Sequence, residues 1–271
     1  MNKVFSIAIV LLLVAGCNSG KKASMSKGEG VLSAEDTVLF RKVQQQTFQY
    51  FWDGAEPVSG VGRERFHVDD KYPDNDKNVV TSGGAGFGVM AILVGIERGF
   101  VTREAGRKHL EKIVRFLETA DRFHGAWPHW WNGETGKVKP FGKKDDGGDL
   151  VETSFMLQGL LCVRQYFQNG NAEEKALAVR ADKLWREVDF NWYRNGQNIL
   201  YWHWSPNYGW QMNFPVRGYN ECLIMYVLAA SSPTHGVPAE VYHEGWADNG
   251  SIKDVNKPDG IAANYPYKLQ M

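Results

Sequence analysis

From residue 34 onward the chain alternates two kinds of apolar pattern. Residues 84–98 (GAGFGVMAILVGIER) are apolar on nearly every side, whereas residues 102–122 carry Leu110, Ile113, Val114 and Leu117 on one stripe with charge opposite. The pair recurs as 149–168, with Phe155, Met156, Leu160 and Leu161, and 172–189, with Leu177, Ala181, Leu184, Trp185 and Val188 in register. A third apolar segment, 219–231 (YNECLIMYVLAAS), is followed by a short candidate helix at 238–246, and an amphipathic helix over 34–52 precedes the series behind Ser33 and Asp36. A helix apolar all round must be buried all round, and a striped one is half-buried. Their regular alternation predicts an all-α array of helical hairpins, with the apolar helices as an inner wall and the striped ones outside.

The links that lead into the inner helices are long: residues 53–80, 123–148 and 190–217. Loops above about 15 residues in a compact domain usually carry function, and all three open on the same end of the wall. The pattern supplies seven helices, whereas a closed ring of six hairpins needs about twelve. The last residues, Tyr265 to Met271, hold no helix stop. The chain is therefore expected to be the first part of a longer ring.

The N-terminus reads differently. Asn2-Lys3, the apolar run Val4–Val14 and Ala15-Gly16-Cys17 have the layout of a secretory signal, too short for a membrane span. Leu13-Val14-Ala15-Gly16-Cys17 resembles a lipobox, which predicts a signal over 1–16, lipidation of Cys17 and a Ser-, Gly- and Lys-rich tether over 17–32. An exported lipoprotein, periplasmic or on the outer membrane and anchored through that lipid, is the expected location. Cys162 and Cys222 lie in apolar helical patterns, roughly 15 Å apart in height, and are expected as two buried thiols without a disulfide.

Composition narrows the chemistry. With 31 basic and 31 acidic side chains there is no field to attract nucleic acid, and 43% hydrophobic residues exclude a disordered chain. Ten Trp, eleven Tyr and fourteen Phe are unusual, and many fall in the long loops: Trp127, His129, Trp130 and Trp131 in one, Trp202, His203, Trp204, Tyr208 and Trp210 in another. Flat rings among Gly, Pro and Asn suit the C–H faces of sugars. Beside them stand carboxylates. Asp145 closes a loop, Asp149 and Glu152 share a helix face at i, i+3, and Glu221 occupies a matching height on the third inner helix. Asp149 is also explained by the helix dipole, and Glu221 by a capping box or an ion pair with Arg217. Two separated carboxylates with sugar-stacking aromatics are what glycosidic hydrolysis requires. Gly84, Gly86 and Gly88 follow no strand and read as close helix packing. Asp69, Asp70, Asp74 and Asp76 lack calcium-loop spacing, His243-Glu244 is an isolated surface pair, and neither a metal nor another cofactor is required.

The stretches VVTSGGAGFGVMAILVGIERGF (79–100), GAWPHWWNGETGKVKPFGKKDDGGDLVETSFMLQGLL (125–161) and VRGYNECLIMYVLAASSPTHGVP (216–238) resemble the bacterial glucoamylase-like proteins of glycoside hydrolase family 144. The resemblance covers residue 34 to the end. It implies an (α/α)6 toroid and inverting hydrolysis of β-1,2-linked glucan or its gluco-oligosaccharides. It matches the family's acidic positions to Asp145, Asp149, Glu152 and Glu221, with Glu221 as general acid and Asp149 or Glu152 orienting water or sugar. Trp130, Trp131, His203, Trp204, Trp210 and Arg217, with Asp145, are the expected substrate contacts of a monomer. The competing readings are a sugar-binding lipoprotein without hydrolysis, an α-glucan hydrolase and a helical scaffold for proteins.

Overall fold

The computed structural model describes residues 32–250 apart from Tyr219, and for Asp74 and Asn75 the backbone alone. The signal over 1–16, Cys17, the tether as far as residue 31 and the ending 251–271 lie outside the described residues. The chain divides between Arg41 and Lys42, inside its first helix, into two units. In the first unit Ser33 Oγ accepts the amide of Asp36 at 3.0 Å and donates to its carboxylate at 2.7 Å, the start signal expected for helix α1 (Ala34–Trp52).

The second unit is built on α2 (Ser82–Glu97), α3 (Arg103–Thr119), α4 (Leu150–Phe167), α5 (Ala172–Arg186) and α6 (Leu223–Ser231), closed by a π-helical turn Val241–Trp246. The inner helix α2 packs on α4, α4 on α6, and the striped α3 and α5 cover α2 and α4 from outside. Glycine decides how close the inner helices come. A Cβ on Gly86 would lie 2.3 Å from the carbonyl oxygen of Phe155, and one on Gly159 would lie 2.5 Å from the carbonyl oxygen of Gly86. The two backbones therefore touch, as the glycine run implies. Around this contact Ile92, Leu110, Val114, Leu117, Met156, Leu160 and Leu184 are fully buried, each contributing about 1.5–3 kcal/mol by leaving water. Outer-helix starts are capped by side chains: Thr102 accepts the amide of Ala105, and Asn171 with Glu174 forms a reciprocal capping box. Arg103 pairs with Glu174 and ties α3 to α5.

Several boundaries move. Helices α3 and α5 stop at Thr119 and Arg186, short of 122 and 189. The third inner helix begins at Leu223 rather than 219, because Asn220 Oδ1 accepts the amide of Cys222 and Asn220 Nδ2 donates to the carbonyl of Arg217. A side chain that bonds its own neighbouring backbone holds a turn in place of a helical turn. Cys222 is buried as expected but Cys162 is exposed, and both are free thiols. Cys162 lies on a face of α4 that, with Leu93, Leu161, Ile224 and Leu228, lines an apolar cavity of about 480 Å³ instead of a neighbouring helix.

The long loops are not structureless. Strand β1 (Val79–Thr81) pairs antiparallel with β2 (Trp130–Asn132), and β3 (Gly148–Asp149) with β4 (His203–Trp204). Strand β1 runs directly into α2 and β3 into α4, so the loops are clamped over the N-terminal ends of these two inner helices. Gly84, Gly86 and Gly88 thus do follow a strand, contrary to expectation, while their helix contact stands.

Candidate active site

The site grows from the junction of β3 and α4. Asp149 has extended backbone at the cap of α4, and its Oδ1 accepts the amide of Glu152 at 2.9 Å. Its Oδ2 accepts Nε1 of Trp202 at 2.8 Å, and Nδ1 of His129 lies 3.1 Å away. A carboxylate only accepts, so the imidazole proton sits on Nδ1. Asp149 is fully buried and holds three elements together: α4, the loop of His129 and the loop of Trp202. The backbone repeats the stitching. The amide of Leu150 donates to the carbonyl of Trp202, the amide of Asp149 to that of Trp127, and Ser82 Oγ to that of Pro128.

Glu152 projects one turn further, toward the start of α2, where its Oε2 accepts the amide of Gly83 at 2.9 Å. Burial first, then the charge of Asp149, push its carboxyl up to about 7, with Glu221 adding to the rise against His129 and the Gly83 amide. Burial and Asp149 likewise raise Asp145 to about 6. Near neutral pH Glu152 therefore retains part of a proton that an ordinary carboxylate would release. Burial works against charge on His129, yet its bond to Asp149 and the surrounding carboxylates outweigh it and raise the imidazole.

His203 sits behind Asp145. The amide of Gly147 donates to its Nε2 at 3.2 Å, which leaves the ring proton on Nδ1, buried without a partner. Burial lowers its pKa, so the ring is neutral and presents a lone pair 3.3 Å from Asp145 Oδ1. Next door, Asp146 accepts Ser205 Oγ at 2.5 Å and Asn207 Nδ2 at 2.7 Å and fixes the turn after β4.

The expected site residues are thus distributed unevenly. Asp145, Asp149, Glu152 and His203 converge. Glu221 stands exposed in the turn before α6, near enough that its charge acts on Glu152 and on the Cys222 thiol, which burial chiefly pushes to about 12. Trp130 is half-buried against His129 and Phe141, at the edge of the cluster. Trp131 does not join it. On the two-faced β2 it points the other way, is fully buried, and donates to the carbonyl of Asp121 at 3.3 Å. Trp204 and Trp210 gather on the far face of β4 with Trp192. Arg217 is exposed and turned to the carbonyls of Glu244 and Gly245 and to Asp248, not to Glu221. Three residues complete the cluster beyond those expected: Trp202 and His129, foreseen only among the loop aromatics, and Gly83. Its missing Cβ would have stood 2.1 Å from Glu152 Oε2, and its place beside the glycine run was the available signal.

Residues 213–266 match the family model described as "Putative glucoamylase". The chain is 76% identical to an endo-β-1,2-glucanase of Chitinophaga pinensis solved with sophorotriose and glucose, with a TM-score of 0.80 over 83% of this chain and 53% of that one. By sequence and by fold, the chain is similar to glucoamylase-like proteins over the part it spans. A solved Bacteroides caccae protein of the same description as the family model is 69% identical, with a TM-score of 0.79 over 80% of this chain and 53% of that one. An exo β-1,2-glucooligosaccharide sophorohydrolase (non-reducing end) of Parabacteroides distasonis is 47% identical over 227 residues, which is 83% of this chain and 30% of that protein. The chain therefore spans about half of these solved structures and less than a third of the sophorohydrolase. Its helical architecture is theirs over the part it spans.

Proposed function

We propose that the chain carries the acid-rich part of a glycoside hydrolase site acting on β-1,2-linked glucan or its oligosaccharides. The observation that carries this is the cluster itself: Asp145 and Glu152, whose carboxyls are pushed up to about 6 and about 7, beside a buried Asp149 with both oxygens engaged, under clamped loops. Glycosidic cleavage needs a carboxyl that gives a proton to the leaving oxygen. Glu221 has the exposed carboxyl among these acids, so a glycosidic oxygen reaches it without displacing a buried bond. It is assigned as the proton donor. Glu152 and Asp145 present hydrogen bonds to the sugar beside it, and Trp130 offers an apolar edge. Asp149 acts through others: it positions His129, Trp202 and the first turn of α4. The linkage follows the two relatives named for β-1,2-glucans.

The test is release of reducing ends from linear β-1,2-glucan by the purified chain, with product anomers followed by NMR for inversion. Glu221→Gln should remove nearly all turnover, at least about a thousandfold, and leave glucan binding in place. Turnover unchanged in that variant overturns the assignment, and turnover on α-linked glucan alone overturns the linkage. We infer further that the chain is exported and anchored through a lipid on Cys17. Labelled fatty acid should enter the protein in cells and be absent from Cys17→Ala.

A further inference from the structure

The aromatics that left the acid cluster form a site of their own. Neighbouring residues of a strand point to opposite faces, so β4 sends His203 toward Asp145 and Trp204 the other way. There the imidazole of His124 lies flat on Trp192, 3.7 Å between centroids and 12° between planes, with Trp204 edge-on to both rings. One face of the Trp192 indole is thus backed, yet the residue stays 39% exposed. Trp210 stands 6.3 Å away, and both indoles border a cavity of about 410 Å³ lined also by Asp189, Asn191, Arg194 and Asn195.

The walls are held still. Asp189 accepts the amide of Trp192 at 2.9 Å, and the Arg194 guanidinium is fixed at 2.9 Å to each of Gln197 O, Asn191 Oδ1 and Asn198 Oδ1. Asn195 and Gly196 both have left-handed backbone (φ 48° and 73°), which folds the chain back around the cavity. A rigid indole with carboxylate, amide and guanidinium groups at its rim matches a pyranose ring: C–H bonds on one face, hydroxyls around the edge.

We propose that this cavity is a second carbohydrate site, binding a glucosyl unit of a glucan chain outside the acid cluster. The identity of the sugar rests on the function proposed above. A site separated from the acids by a single strand holds polymer beside the cluster and contributes nothing to a substrate too short to reach both.

Affinity electrophoresis of the full chain in gels containing linear β-1,2-glucan tests it, with reducing-end release from sophorotriose assayed separately. Trp192→Ala and Trp210→Ala should each weaken retention at least tenfold, Trp192→Phe less than threefold, and sophorotriose turnover should stay within twofold. Thermal melts identify which alanine variant is folded, and Trp210→Ala decides if Trp192→Ala is not. Retention equal to the unsubstituted chain in a folded alanine variant overturns the second site, as does an unsubstituted chain that is not retained. Retention that follows this pattern without any hydrolysis leaves the second site standing and overturns the proposed hydrolase.

Discussion

The N-terminal ends of α4 and α6 both carry acids, and they use them in opposite ways. At α4, Asp149 is fully buried, caps the helix and takes its hydrogen bonds from three separate elements, while Glu152 takes the amide of α2's second residue. At α6, the cap position is Cys222 with no side-chain capping bond, and Glu221 stands in the exposed turn that Asn220 organises. A buried acid with both oxygens engaged is part of the scaffold. An acid left open to solvent is available to a substrate. The difference separates stability, which resides at α4, from proton delivery, assigned to α6, and substitutions at the two ends should separate the same way.

The largest effect is expected at Asp149. Its replacement by alanine leaves the Trp202 indole N–H, the His129 imidazole and the Glu152 amide without their acceptor. Unpaired buried donors cost about 1–3 kcal/mol each, and a lost cap about 1 kcal/mol. Asp149→Ala should therefore lose about 3–5 kcal/mol in urea denaturation, given partial relaxation of the loops. Glu221→Gln, on the exposed turn, should stay within about 0.5 kcal/mol. Equal losses at the two positions would erase the distinction.

A smaller, pH-dependent effect belongs to Glu152. Its folded carboxyl titrates at about 7, above the ordinary glutamate value of about 4.3 that it has unfolded. Between these values the folded state binds more protons, so stability falls as pH rises toward 7 and then levels off. Glu152→Gln removes the group that ionises. Its stability in urea denaturation should match the unsubstituted chain near pH 4 and exceed it at pH 8, by on the order of 2 kcal/mol because the group is still partly solvated. Asp145 should add a weaker decline of the same sign below pH 6. A variant no more stable at pH 8 than at pH 4, relative to the parent, would mean that Glu152 is not held neutral by its surroundings.

How far the sequence foretold this depends on the length of the pattern that carried each feature. The inner and outer helices were legible because fifteen or more residues repeat one periodicity, and so was the glycine contact of α2, though β1 precedes those glycines where no strand was expected. The strands were not, since two or three residues have no period to detect. That single omission explains most of the misplaced side chains. Read as loop, Trp130 and Trp131 face the same mouth; read as β2, they point to opposite sides, one to His129 and one to the core. His203 and Trp204 divide across β4 for the same reason. Glu221 was set inside a helix because the apolar run begins before the helix does, and the Asn220 turn that delays α6 is a side-chain competition a hydrophobic pattern does not register.

Gly83 offers the finest test of scaffold against site, because its substitution should touch the second and spare the first. A methyl group there would meet the end of the Glu152 side chain, with Oε2 at 2.1 Å, and no backbone atom lies among its nearest neighbours. The carboxylate can swing aside, unlike the Phe155 carbonyl that a methyl on Gly86 would strike at 2.3 Å. Alanine also suits a helix better than glycine by about 1 kcal/mol. Gly83→Ala should thus change stability by no more than about 1 kcal/mol in either direction, while the Glu152 carboxyl loses the amide that favours its charge. That loss should raise the group's pKa further, move the stability decline to higher pH, and lower turnover on β-1,2-glucan about tenfold by displacing a hydrogen bond to the sugar. Gly86→Ala is the counterpart and should cost several kcal/mol through the helix contact itself. If Gly83→Ala unfolds the chain as Gly86→Ala does, the glycine is a packing residue like its neighbour. The bond to Glu152 would then be a consequence of the α2–α4 contact rather than a device of the site.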